Sequence, residues 1–164
     1  MSDAPGANPG SATGVDAAAV IDAPRRPVAL IAAHGDLAAG LRSAVDQITG
    51  RGELLDVLSN RDMGSADIER VMREKLDASA ALVVFTDLPA GSCAMAARRV
   101  QRDRPDVTVV TGTNLGTLLD FVCSADGTCG GDLLSAEGTR AAAARAVARG
   151  QVALLTPAGV ARAG

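Results

Sequence analysis

From Pro27 onward, short apolar runs alternate with stretches whose apolar residues recur at helical spacing. Residues 27–33 (PVALIAA) are continuously apolar, and Leu37, Leu41, Val45 and Ile48 then recur every three or four positions across 35–49. This predicts a buried strand followed by an amphipathic helix. Gly50 and Gly52 close that helix. Residues 53–58 predict a second strand, and Ser65 is placed as the cap of a helix with Ile68, Val71, Met72 and Leu76 on one face. The cycle repeats with a strand at 80–85 (AALVVF) and a helix at 92–102, then a strand at 107–111 (VTVVT) and a short helix at 114–122. Strands that alternate with helices predict an α/β fold: a doubly wound, mostly parallel open sheet with helices on both faces. Residues 123–133 read as a Gly-rich loop, 137–149 as an Ala-rich helix and 151–155 (QVALL) as a last strand. The pattern does not set where that strand pairs.

The first 26 residues lack this alternation and are rich in Ala, Gly, Pro, Asp and Ser. Arg25 and Arg26 follow the weakly apolar part of the segment, the reverse of a secretory signal. Nowhere do apolar residues approach the roughly 18 in a row that span a bilayer. The expected organisation is a disordered tail at 1–26, one domain at 27–156 and a short tail at 157–164, in a cytoplasmic protein. Nucleic acid is an unfavourable partner, because the formal charge is -3 and aromatics are 1% of residues, leaving neither a basic groove nor stacking platforms. A single His removes any multi-histidine metal site, and three Cys without a CxxC pair read as reduced thiols. Met63, Met72 and Met95 are assigned to apolar helical faces.

In an open parallel sheet, ligands bind beyond the carboxyl ends of the strands. The residues there are His34-Gly35-Asp36, then Thr86 to Ser92 (TDLPAGS), then Gly112-Thr113-Asn114. An imidazole with one ring nitrogen held by a hydrogen bond and the other facing outward is a phosphoryl acceptor. Asp87 is placed to supply the hold. Gly91, the Ser92 hydroxyl and the free N–H groups of the following helix make an anion cradle, and Gly35 with the first helix does the same beside His34. Plainer readings stand next to these: a solvated histidine, a turn carboxylate and an ordinary Gly-Ser helix start. A nucleophilic enzyme using Ser92 or Cys93 with His34 and Asp87 is the chemical rival, although Ala94 stands where G-x-S-x-G requires its second glycine. Arg98, Arg99, Arg102 and Arg104 read as a solvated charged face or a receiver for an acidic partner.

Three segments in order, ALIAAHGDLAAGL (29–41), VVFTDLPAGS (83–92) and VVTGTNLGTLL (109–119), resemble the enzyme IIA component of the mannose family in the phosphoenolpyruvate-dependent sugar phosphotransferase system. The resemblance implies a phosphoryl carrier. Its motif histidine, His34 here, would accept the group from the phosphocarrier HPr and pass it to a IIB component, with the IIC and IID membrane components engaged indirectly. Asp87 would orient that histidine, and Ser92 with Thr86 and Gly91 would line the phosphoryl pocket. No cofactor or metal is implied. The family's last strand is antiparallel and exchanged between two subunits, so the resemblance also implies a homodimer and a role for residues 151–155. The segment Leu88-Pro89-Ala90-Gly91-Ser92-Cys93 departs from the mannose-type Leu-Phe-Gly-Gly-Ser-Pro and is similar to the N-acetylgalactosamine branch. A regulatory phosphoprotein that reports phosphotransferase status without transport is the alternative function.

Overall fold

The computed structural model describes residues 27–79, 81–123, 133 and 135–149. Four strands, β1 (Ala29–Ala33), β2 (Leu55–Ser59), β3 (Val83–Thr86) and β4 (Thr108–Thr111), form one sheet in the order β2-β1-β3-β4. Among the described residues every strand pairing is parallel, with Ile31 opposite both Val57 and Phe85. The helices are α1 (Leu37–Thr49), α2 (Ser65–Ala78), α3 (Ser92–Asp103), α4 (Leu115–Val122) and α5 (Ala136–Arg149). The chain moves from β1 outward to β2, then returns past β1 to β3 and β4. Right-handed crossovers in opposite directions put their helices on opposite faces, as a doubly wound sheet requires. The fold class expected from the pattern is the one observed.

Alternation along the strands divides the core into two layers. Ala29, Ile31, Ala33 and Phe85 join Val45 of α1, Leu118 and Phe121 of α4 and Ala142, Ala143 and Ala146 of α5. Leu30, Ala32 and Val84 face Ile68, Met72 and Leu76 of α2 and Ala96, Ala97 and Val100 of α3. All five residues of β1 are buried, which explains why this strand reads as a continuous apolar run without alternation. Phe85 and Phe121 meet edge to face, with ring centroids 5.0 Å apart and planes at 74°, the arrangement aromatic quadrupoles favour.

Several local expectations are corrected. The stripe on α1 runs through Ala38 and Val45, with Leu41 partly buried, while Leu37 and Ile48 are exposed. A small residue at 38 suits the close approach to the alanine-rich β1, and it turns the predicted face by one position. Gly64, not Ser65, is the cap residue of α2, and the Ser65 hydroxyl accepts from Arg99 instead. Met72 is core, but Met63 and Met95 are exposed. Ion pairs tie α3 and the residue after it to α2: Arg99 also lies 3.6 Å from Glu69, Arg73 of α2 contacts Asp103 at 2.6 Å, and Arg104, just past α3, contacts Asp77 at 3.0 Å. Cys93 is a free, buried thiol, whereas Cys123 is disulfide-bonded, so reduced thiols throughout are not what the structure holds. The expected tails, the loop around 124–132 and the strand at 151–155 lie outside the described residues.

Candidate functional site

The chain reverses its direction of travel between β1 and β3, and the carboxyl ends of these two adjacent strands open a crevice there. His34 follows β1 directly and Asp87 follows β3 directly. Parallel pairing with Ala32 opposite Thr86 brings the two tips side by side, 53 residues apart in sequence. The Asp87 Oδ2 atom accepts the backbone N–H of His34 at 3.0 Å and lies 2.8 Å from His34 Nδ1. Oδ1 accepts the Leu88 N–H at 3.0 Å. The Asp87 side chain is 9% exposed and the His34 ring 47%.

These contacts fix the state of both groups. Burial pushes the Asp87 carboxyl up, but the bonds from the His34 backbone and ring, the ring's charge and the Leu88 N–H together hold it below the usual carboxylate range. An ionised carboxylate only accepts, so Nδ1 carries a proton toward it. In the neutral ring the lone pair is then on Nε2. A half-exposed imidazole with a held Nδ1 can act chemically as a nucleophile through Nε2.

The glycines close the walls. Gly91, at φ 155°, takes a backbone conformation that side chains rarely adopt, and a Cβ there would sit 3.6 Å from His34 Cε1 and 4.0 Å from Leu88 Cδ1. Gly35, at φ 56°, turns the chain from β1 into α1. Neither α1 nor α3 has a side-chain cap at its N-terminus, and neither carries an acidic residue in its first turn. Both helices start at this edge, so their first-turn N–H groups and positive dipole ends favour an anion there.

Of the residues singled out in the sequence, the fold brings together His34, Gly35, Asp87, Gly91 and Ser92. Thr86 is fully buried and donates its hydroxyl to the Leu88 carbonyl at 3.0 Å, which shapes the turn that carries Asp87. The β4 tip serves α4, since Asn114 Oδ1 accepts the Thr117 N–H at 2.9 Å. The tip of β2 was not anticipated. Asn60 Oδ1 accepts the Gly35 N–H at 3.4 Å, Asn60 Nδ2 donates to Ser92 Oγ at 3.3 Å, and Ser59 Oγ donates to the Gly35 carbonyl at 2.7 Å. The rule that pointed to the other strand ends also covers Ser59-Asn60.

The rival nucleophiles are poorly placed. The Cys93 thiol is buried, and burial followed by the Asp87 charge pushes its pKa up, against thiolate formation. Among the described residues no hydrogen bond joins Ser92 Oγ to the His34 ring. Nor does any group of three or more His, Cys, Asp or Glu among them form a cluster able to hold a metal ion.

Fold and geometry thus define a doubly wound α/β protein with a histidine-aspartate pair at its switch point. A family model described as the fructose IIA component of the phosphotransferase system, of the mannose type, matches residues 29–148, and the chain belongs to this family. No curated protein sequence matches the chain. Among solved structures, the mannose/sorbose specific IIA subunit of the phosphotransferase system from Enterococcus faecalis superposes with a TM-score of 0.62 at 18% identity, covering 83% of this chain and 99% of that one. The phosphotransferase component EIIA from Streptococcus agalactiae gives 0.55 at 22% identity, covering 71% and 91%. A sigma-54 interaction domain protein from Enterococcus faecalis gives 0.53 at 11% identity, covering 73% and 92%. These similarities show a common fold. No helix among the described residues is long and apolar enough to cross a membrane.

Proposed function

We propose that His34 is a transient phosphoryl carrier, charged by phospho-HPr and discharged to a IIB component of a sugar phosphotransferase system. The observation that carries this reading is the 2.8 Å contact of Nδ1 with a largely covered carboxylate, which leaves the lone pair of the half-exposed ring on Nε2. In the transfer, Nε2 attacks phosphorus in line, the Nε2–P bond forms, and the donor's P–N bond breaks with its electron pair leaving on the donor imidazole. The His34 ring becomes positive while it holds the group, and Asp87 balances that charge from the far side. First-turn N–H groups of α1 and α3 and the Ser92 hydroxyl would receive the phosphoryl oxygens. Discharge to the IIB component is the same step reversed in direction.

Leu37, Met63, Leu88 and Met95 are large apolar side chains exposed at this edge of the sheet, and they supply an apolar collar on which a carrier protein can dock. Incubation with phosphoenolpyruvate, enzyme I and HPr, followed by mass spectrometry, is the test. Acid-labile label on His34 in the native chain, and none in His34→Ala, is the expected result. Label that persists in His34→Ala removes the assignment. A homodimer, a cytoplasmic location and an indirect relation to IIC and IID belong to the same reading.

The similarity in fold to a sigma-54 interaction domain protein favours a second reading, in which the phosphorylation state of His34 is sensed by a regulatory partner. Transfer from labelled protein to a IIB component supports transport. A label that no IIB component accepts supports regulation.

A further inference from the structure

Asn60 bridges the two halves of the crevice, and its chemistry decides which way the Ser92 hydroxyl faces. The Gly35 N–H can only donate, so the carboxamide must turn its oxygen toward it. The NH₂ group then necessarily faces Ser92 and gives a hydrogen bond to Oγ. A hydroxyl that accepts through its oxygen keeps its own hydrogen for another acceptor. The backbone holds Asn60 in this role, because its N–H donates to the Ala33 carbonyl at 3.2 Å just before His34.

We infer that Asn60 is a positioning residue that keeps Ser92 a hydrogen donor toward the phosphoryl group on His34. The inference rests on the carrier reading above. Phosphoryl oxygens only accept, so a serine presenting its lone pairs would repel the group it should hold. A carboxylate at position 60 would reverse the polarity with almost no change of shape. Its one oxygen would still accept from Gly35, while the other would take the Ser92 hydrogen.

The test measures the rate of His34 phosphorylation by phospho-HPr in Asn60→Asp and Asn60→Ala, each with Ser92 intact and in a Ser92→Ala background. Loss of one preorganised donor sets the scale, so Asn60→Asp should slow transfer by on the order of 10²–10³-fold with Ser92 intact. Asn60→Ala should slow it less, because it leaves the hydroxyl free to rotate. The loss should fall on the maximal rate, with the KM for HPr nearly unchanged, and most of it should vanish when Ser92 is absent. A slowing by Asn60→Asp that is equal with and without Ser92 makes the residue a structural or purely electrostatic element and overturns the inference. Wild-type rates in both Asn60 variants do the same. If wild-type protein takes no label on His34, the carrier reading itself fails, an outcome distinct from either of these.

Discussion

Two aspartates lie close to His34 along different paths, Asp36 two residues on in the chain and Asp87 across the sheet, and their surroundings differ sharply. Asp36 lies on the outer rim between the β1 and β2 tips, 81% exposed, with Arg61 at 2.9 Å. Asp87 lies on the inner wall between β1 and β3, 9% exposed, and accepts three hydrogen bonds from His34 and Leu88. The rim pair is open to water, and an exposed ion pair of this kind contributes little. On the wall, the carboxylate is partly stripped of water and its bonds come from groups fixed by the sheet. Proximity to a histidine in sequence is therefore a poor guide to which acid bonds to its ring; here the neighbouring strand supplies that acid.

Substitutions should separate the two regions by orders of magnitude. Asp87→Asn should slow phosphoryl transfer by on the order of 10²–10⁴-fold, since an amide can present its NH₂ to Nδ1 and move the lone pair off Nε2. Single-turnover transfer from phospho-HPr measures it, and unchanged transfer would reduce Asp87 to a structural acceptor. At the collar, Leu88→Ser combined with Met95→Ser should raise the KM for HPr by roughly tenfold, the scale of about 1–2 kcal/mol of lost apolar burial, with labelling at saturating HPr little changed.

Acid should also distinguish wall from rim. The Asp87 carboxyl titrates below its ordinary range in the folded chain, so its stabilising contribution is complete above the unfolded value of about 4 and is lost as pH falls through the depressed folded value. Urea midpoints between neutral pH and pH about 3 should fall more steeply for the native chain than for Asp87→Asn. Equal slopes would remove the linkage. The smallest effect belongs to the rim: Asp36→Asn should change stability by about 0.5 kcal/mol or less and leave transfer rates within a factor of about 3. A loss as large as that of Asp87→Asn would erase the contrast drawn between the two acids.

The alternation of strands and helices is legible because the central strands β1 and β3 are buried throughout and each crossover helix is amphipathic, so the period itself changes at the boundaries. His34 and Asp87 were legible for a related reason, since a parallel sheet collects its polar chemistry at the carboxyl ends. Asn60 is not marked by the pattern because the apolar run predicts a second strand ending at Leu58, one residue short of Ser59, so the tip of β2 falls past the predicted strand end. Position 37 was misread because helical spacing identifies an apolar face without saying whether a smaller neighbour will be chosen for close packing. Leu37, exposed beside the site, is better understood as part of the collar than as failed core. Arg99 of α3 is not paired by the sequence pattern, because its partners, the Glu69 carboxylate and the Ser65 hydroxyl 34 positions away, lie on another helix.

The edge-to-face phenylalanine pair has a practical consequence. Phe85 and Phe121 are the only benzenoid rings in the chain, which has no Trp or Tyr, and His34 is its only imidazole. Once the N–H protons are exchanged in D2O, the aromatic window of a proton NMR spectrum therefore holds three side chains: two that report on the interior through each other's ring currents, and one whose resonances would move if the proposed phosphorylation occurs. A single uncrowded spectrum, without isotope labelling of the protein, can test the proposed charging of the histidine while verifying that the hydrophobic interior is undisturbed.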